Sequence, residues 1–455
     1  ARLRGESAMT VPCPRVCRSA RLMPAAAACL FLAGCGAWFG GSEEPPLPGT
    51  RIPVMLTTVA LEKDTRIADL DVRLPRPTVN VEWPQQGGYA NHAMHHLALP
   101  DSLSVAWRAN AGRGSSDEER MLSGPVIADG RVFVIDARAV VSAFAIGDGA
   151  LLWRTELEPR DERDGSWGAG LAFDSGRLFV TTGFAQVIAL DAASGEVNWR
   201  STVSGPMRAA PAARDGRVFA VTKDNQLHAL DATSGQLLWS HAGIAETAGL
   251  LGGASPAVEG DIVIVPYSSG EIFALRVQNG RELWAESLAA IRRLDAVSAL
   301  ADIRGRPVVD RGRVYAVSHS GRMFAIDLRS GRRIWEAEIG SVEQPWIAGE
   351  FIYVLSTDAL IACLTARDGR VRWVTPIGLF KNPEDKQGRR IWTGPIVAGD
   401  RLIIAGGHGE ALTLSPFTGE ILGSIETPGG VTVPLAVADN TLYLLSDSAE
   451  LVALR

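Results

Sequence analysis

Ser194-Gly-Glu-Val-Asn-Trp199 returns as Ser234-Gly-Gln-Leu-Leu-Trp239, Asn279-Gly-Arg-Glu-Leu-Trp284, Ser330-Gly-Arg-Arg-Ile-Trp335 and Asp368-Gly-Arg-Val-Arg-Trp373, each with glycine four residues before tryptophan. Asp148-Gly-Ala-Leu-Leu-Trp153 opens the series, and Thr418-Gly-Glu-Ile-Leu-Gly423 keeps the frame without the indole, which makes seven copies of one turn. Twenty-eight residues upstream of each closing position stand Pro125, Leu171, Pro211, Pro256, Pro307, Pro345 and Pro395. Between those points lie two further strand-like runs, such as Arg217-Val-Phe-Ala-Val-Thr222 and Leu227-His-Ala-Leu-Asp231. Four short strands per unit, repeating every 38 to 51 residues, is the pattern of a propeller blade.

Each repeated residue has a physical task. The glycine belongs in a turn between the third and fourth strands, where positive φ costs a residue with a Cβ about 1–2 kcal/mol. Asp191, Asp231 and Asp327, eight residues before their tryptophans, are placed to bond that turn's backbone. Trp107, Trp153, Trp199, Trp239, Trp284, Trp335 and Trp373 are expected to lie between adjacent blades. Burying about 150–250 Å² of indole at about 25 cal/mol/Å² gives an upper value of roughly 4–6 kcal/mol per docking. An eighth unit begins at Pro434 and ends at Arg455, seven residues short of its own tryptophan. Asp101-Ser-Leu-Ser-Val-Ala-Trp107 is the predicted donor of the missing outer strand, which would close the ring and remove two open edges. The fold expected is all-β: an eight-bladed propeller of four-stranded antiparallel blades over 101–455, closed by the N-terminal strand.

Ahead of the ring, Arg15, Arg18 and Arg21 precede the apolar run Leu22–Leu32 and then Ala33-Gly34-Cys35. A basic region, a short apolar core and small residues at a cleavage point read as a signal peptide over 1–34. Leu32-Ala-Gly-Cys35 resembles the lipobox of bacterial lipoproteins, which implies lipidation of Cys35. Gly36, with no Asp after the cysteine, resembles lipoproteins sorted to the outer membrane. Residues 35–100, which include the proline-rich Ser42-Glu-Glu-Pro-Pro-Leu-Pro-Gly49, are expected to form a tether. Beyond the signal only Cys35 and Cys363 remain, so no disulfide framework is expected, and Cys363 in the apolar run Leu360–Leu364 reads as a buried thiol.

A formal net charge of −6 argues against nucleic acid as a partner. No phosphate-cradling, zinc-peptidase, Cys-x-x-Cys or serine-hydrolase motif occurs. His92, His95 and His96 have a spacing that could serve a metal, but they lie in a polar stretch and read as a solvated loop; His408 reads as a turn residue. The constant frame confines length variation to the connections between blades, which share one face. The longest, Thr155–Gly170, Ala285–Arg306 and Val374–Gly394, mix Trp167, Arg292, Arg293, Asp295, Arg304 and Trp392 with apolar residues, as protein interfaces do.

The repeats resemble the PQQ-like propeller repeat from Ser102 to Arg455. Pro307-Val-Val-Asp-Arg-Gly-Arg-Val-Tyr-Ala316, Ala325-Ile-Asp-Leu-Arg-Ser-Gly331, Ile334-Trp335 and Ile339-Gly-Ser-Val342 are especially similar to the BamB family, lipoprotein subunits of the outer-membrane β-barrel assembly (BAM) machinery. The resemblance implies a non-catalytic protein without cofactor or metal, its propeller monomeric, held by its lipid at the periplasmic face of the outer membrane. It implies as partners the POTRA domains of a BamA-type protein and other BAM subunits. Family contacts lie in the connections before the units at Pro256 and Pro307, which carries over Leu250 and Asp302. Leu251 and Arg304 stand where the family pattern has Arg and Asp, a departure that puts transfer of those two contacts in doubt. The alternatives are a PQQ-dependent periplasmic dehydrogenase, which the absence of an adjacent cysteine pair disfavours, or another protein-binding propeller of the envelope.

Overall fold

The computed structural model describes residues 61–159, 168–289 and 300–455. Cys35, Trp167, Arg292, Arg293 and Asp295, with the signal peptide, lie outside the described residues. Eight four-stranded sheets follow one another along the chain. Blade 1 comprises Val126–Ala128, Arg131–Ile135, Val140–Ala145 and Leu151–Glu156, and six more repeat that order. In blade 8 the strands Ala436–Ala438, Thr441–Leu445 and Glu450–Leu454 are completed by Val105–Asn110, antiparallel to Glu450–Leu454. The closing strand predicted to end at Trp107 therefore runs three residues further. Its eighth inner strand starts at Ala436, so the repeat frame opens on Leu435 and not on Pro434.

The sequence character of each strand follows from what covers it. The three inner strands of a blade have neighbouring blades on both faces and are near-continuous apolar runs, as in Val132–Ile135. The outer strands alternate exposed and half-buried residues, as in Leu237–Ala242. Across one register line of blade 2, Phe179 faces Ala189 and Ala189 faces Trp199, with the aromatic rings 6.1 Å apart. The small middle residue lets the two rings meet over it. Cys363 fills that slot between Tyr353 and Trp373, which explains a buried cysteine there.

The tryptophans dock as expected. Each indole donates through Nε1 to a backbone carbonyl of the following blade: Trp153 to Ala192 (3.1 Å), Trp284 to Leu328 (2.8 Å), Trp335 to Ala366 (3.0 Å) and, across the ring closure, Trp107 to Ile146 (3.0 Å). Its ring lies flat against the turn glycine of that blade; a Cβ on Gly195 would stand 2.5 Å from the Trp153 ring. The turn itself is held by the expected aspartate: Asp231 Oδ1 accepts from the Thr233 and Ser234 N–H groups at 3.0 and 2.8 Å.

Residues 61–100, read from the sequence as tether, are instead built into the ring. The inner strand of each blade has one edge paired within the blade and the other facing the axis. Residues 78–97 partner that edge blade by blade. Asn80 Nδ2 donates to Val437 O in blade 8 (2.6 Å), Trp83 exchanges two backbone bonds with Ile127 in blade 1 (2.7 and 2.9 Å), and Phe173 N–H in blade 2 donates to Pro84 O (2.7 Å). The Gln85 carboxamide stands in for a peptide group, donating to Ala213 O (2.6 Å) and accepting from Ala213 N–H (3.1 Å) in blade 3. Val258 in blade 4 and Val309 in blade 5 donate to Ala90 O and Asn91 O (2.7 and 2.9 Å). Trp346 Nε1 in blade 6 donates to His95 O (2.7 Å), and Leu97 N–H donates to Val397 O in blade 7 (3.1 Å). Seven inner edges are thus engaged through their backbone and the eighth strand through its Trp346 side chain, all by one short segment, because a buried strand edge without partners is costly.

The histidines are part of this plug, contrary to the expectation of a solvated loop. His92 and His96 are 2% and 1% exposed. His92 Nδ1 donates to Pro307 O (2.8 Å), and burial pulls its pKa down to about 3, so the ring is neutral. His96 lies between Pro75 O (2.8 Å, to Nδ1) and Asp400 N–H, which donates to Nε2 (3.1 Å); His95 Nε2 stands 3.3 Å from Asp310. His408 does sit in a turn, edge-on to Trp392 with ring centroids 4.6 Å apart.

Gly176 and Gly195 separate the two demands on a turn glycine. Both have φ of 77°, but a Cβ at Gly176 meets nothing within 4 Å. Gly176→Ala should therefore cost about 1–2 kcal/mol for the backbone alone. Gly195→Ala should cost roughly 1–3 kcal/mol more, because Trp153 must move. Urea denaturation of the two variants checks this, and equal midpoints would contradict it.

Candidate functional site

Antiparallel blades put the connections between blades, and the turns joining second to third strands, on one face of the ring. The plug enters from the opposite face, where Asp439 N–H donates to Asn80 O at 2.7 Å and Asp400 meets His96. Its apex reaches toward the loop face. Gln85 and Gly88 exchange two backbone bonds at 3.1 and 3.0 Å, which closes a turn over Gln86-Gly87, and Gln344 Nε2 donates to His92 O at 3.1 Å. The axis is therefore closed from below and open on the loop face.

On that face the structure brings together Leu250, Leu251, Asp302 and Arg304 on the two connections that flank blade 4, whose strands run from Ala257–Glu259 to Glu282–Ser287. They do not play equal parts. Asp302 is 4% exposed, so it presents almost nothing to a partner. Its Oδ2 accepts the Leu250 N–H at 2.8 Å, tying the connection before blade 4 to the one after it. Burial raises its pKa to about 6, against the lowering pull of the Leu250 N–H and of Arg304 and Arg208. Leu250, Leu251 and Arg304 are partly exposed. The Arg304 side chain lies over Gly252, whose φ is 102° and whose Cβ, if present, would be 2.8 Å from Nε.

Two cavities adjoin these residues. A small one of about 50 Å³ between blades 3 and 4 is lined by Leu250, Asp302, Arg208 and Lys223. A vestibule of about 410 Å³ at the mouth of the axis is lined by Leu251, Arg304, Arg306, Glu343, Ile391 and others. Its far wall comes from the connection between blades 6 and 7, which carries a hairpin, Phe380–Asn382 paired with Gln387–Arg389. The hairpin base is fixed by Trp392 Nε1 donating to Gly378 O at 2.9 Å.

The profile of the family described as "Outer membrane protein assembly factor BamB" matches residues 137–375. The outer membrane protein assembly factor BamB of Salmonella typhimurium is 30% identical over 357 residues, 77% of this chain and 88% of its own length. This chain belongs to the BamB family of outer membrane protein assembly factors. The crystal structure of BamB from Moraxella catarrhalis superposes with a TM-score of 0.66 at 21% identity, over 78% of this chain and 100% of that one. The quinohemoprotein alcohol dehydrogenase of Comamonas testosteroni has a TM-score of 0.63 at 14% identity, over 82% of this chain and 80% of its own, which is a likeness of fold alone.

Among BamB-family residues predicted from the sequence, the described ones converge, and Arg306 of the same long connection joins them, but Arg120, Glu343 and Thr393 in the vestibule were not anticipated. They come from three segments far apart in the chain and carry no common motif. The departures at Leu251 and Arg304 are side by side in the vestibule wall.

Asp302 makes a pH prediction. Its folded pKa, raised above the ordinary 3.8, means that ionisation costs stability. The cost is absent below about pH 4, grows through about pH 6 and is full above it. Asp302→Asn keeps an oxygen for the Leu250 N–H and removes the charge, so it should gain on the native chain with rising pH, by on the order of 2 kcal/mol at pH 7. Urea unfolding at pH 4 and pH 7 reads the gap; a gap that does not widen contradicts the assignment.

Proposed function

We propose that the chain is a lipid-anchored, non-catalytic scaffold of the BAM machinery. It is held by Cys35 at the periplasmic face of the outer membrane and binds POTRA domains of a BamA-type partner through the loop face around blade 4. The observation that carries this reading is the convergence of Leu250, Leu251 and Arg304 on that face, with Asp302 buried beneath as the latch that sets the first two. Arg292, Arg293 and Asp295 belong to the same connection as Asp302 and are proposed to extend the surface. An interface core of partly exposed leucines with arginine at its edge is the composition from which binding energy comes, because apolar anchors supply affinity and charge supplies register.

Support for a non-catalytic role comes from the axis. Beneath the vestibule, a cavity between the plug and the inner ends of blades 5 to 8 measures about 30 Å³, room for a water molecule or two. The chain itself fills the place where a ring fold could otherwise enclose a ligand.

The test uses the full-length chain in envelopes. Leu250→Glu and Leu251→Glu place a carboxylate in the proposed interface core and should lower co-purification of the BamA-type protein at least about tenfold, since a buried uncompensated charge costs more than 1.4 kcal/mol. Undiminished recovery by both variants would sink the docking surface. In the same extracts Cys35→Ala should move the protein from the membrane to the soluble fraction; retention would remove the anchor.

A further inference from the structure

The vestibule has features that a flat docking face does not need. It is blind: the plug fills the axis beneath it and brings Gly87 and Trp83 into the small cavity under its deep end, Trp83 stacked on Trp346 at 6.2 Å between ring centroids. Arg306, Glu343, Thr393 and Pro434 line both the vestibule and the small cavity under it, so they mark its deep end. Met121, Leu122, Leu251, Val342 and Ile391 form apolar walls around it. A closed floor excludes a polypeptide that passes through. It admits a chain end-on.

The charges at the deep end are unbalanced. Glu343 is already occupied, its Oε2 accepting from Thr393 Oγ1 at 2.9 Å and from Gly394 N–H at 3.4 Å. Arg304 Nη1 approaches Glu343 Oε1 only to 3.9 Å, and Arg306 Nη1 donates to the neutral Gln344 Oε1 at 3.4 Å. Two guanidiniums thus share one engaged carboxylate at the deep end, with the buried Asp302 acting on Arg304 from behind the wall. Burial draws Arg306 down to about 10, so it stays cationic at neutral pH. A partly desolvated guanidinium with a weak partner is best satisfied by a second carboxylate, which it can hold through two N–H groups.

We propose that the vestibule binds the carboxyl-terminal end of an extended apolar polypeptide, its terminal carboxylate on Arg304 and Arg306 and its last side chains against Met121, Leu122, Leu251 and Val342. The volume of about 410 Å³ is in the range of small-ligand sites and suits two or three residues of extended chain, which advance about 3.3–3.6 Å each. The site shares Leu251 and Arg304 with the proposed POTRA surface, whereas Leu250 belongs to that surface alone.

The experiment is fluorescence anisotropy on the purified chain with a labelled heptapeptide ending in Leu-Val-Leu, as free acid and as amide. The free acid should bind saturably and the amide at least about tenfold more weakly, the scale of a charge-assisted hydrogen-bond pair. Arg304→Gln and Arg306→Gln should each bring the acid toward the amide, and added salt should weaken the acid alone. Leu122→Glu should weaken both peptides, whereas Leu250→Glu should leave both unchanged, so that loss of partner docking is distinguishable from failure here. Equal binding of acid and amide, or saturable binding of neither, overturns the proposal. An end-blocked peptide with an internal aspartate that binds as tightly as the acid also overturns it, in favour of side-chain recognition. Should Arg306→Gln fail to fold, Arg304→Gln and the salt titration decide.

Discussion

The indole of each outer strand, seated on the glycine turn of the next blade, is the contact on which the ring depends. It unites three requirements in one place: a turn that needs positive φ, a flat apolar face with no Cβ in the way, and a buried N–H that finds the next blade's carbonyl. The gap in the series follows from the same rule. Trp107 of blade 8 docks on Gly149 of blade 1, and each tryptophan to Trp373 docks on its successor, ending at Gly419 of blade 7. Blade 8 has no turn between its third and outer strands, because those strands come from opposite ends of the propeller and meet through Ser104 and Arg455. With no turn glycine to receive it, an indole in blade 7 would have no seat. Gly423 stands there, facing Thr413 and beyond it Ile403, where the other blades have a small residue and then an aromatic ring, or Ile264 in blade 4.

A second constraint acts at the axis. Eight inner strands converge with one edge each unpaired, and a hole of that size would leave backbone groups to water or to nothing. The segment 78–97 resolves this by exchanging one or two hydrogen bonds with each successive blade, with Gln85 and Asn80 using side-chain amides where the backbone does not reach. Filling the axis from one face leaves the other open. The plug therefore converts a tube into a cup and sets the floor under Arg304 and Arg306, so the geometry of the loop face depends on residues ahead of the first blade.

The architecture was legible because its determinants are local and repeated. Glycine and tryptophan four apart, aspartate at the turn and a fixed frame declare themselves at every unit, and even the closing strand announced itself through Trp107. The plug was not legible. Its bonds go one or two at a time to eight different strands, so it has no period, and its polar residues, His92 and Gln85 among them, look solvent-facing although each is buried with a partner in a distant blade. For the candidate site, loop length singled out one face, the family resemblance supplied Leu250, Leu251 and Arg304, and the structure puts those three on that face. What the sequence could not separate is a surface contact from a buried latch, since Asp302 differs from an exposed aspartate only in what covers it.

The loop face is the one proposed to receive a partner, and the opposite face is the one through which residues 78–97 enter the axis. Amide hydrogen exchange of the full-length chain, alone and with saturating POTRA domains of a BamA-type protein, tests that division directly. Slowed exchange is expected in residues 243–256, 300–306 and 377–391, with no change in the turns of the opposite face, such as 175–176 and 192–196. Protection confined to those turns, or spread equally over both faces, would contradict it.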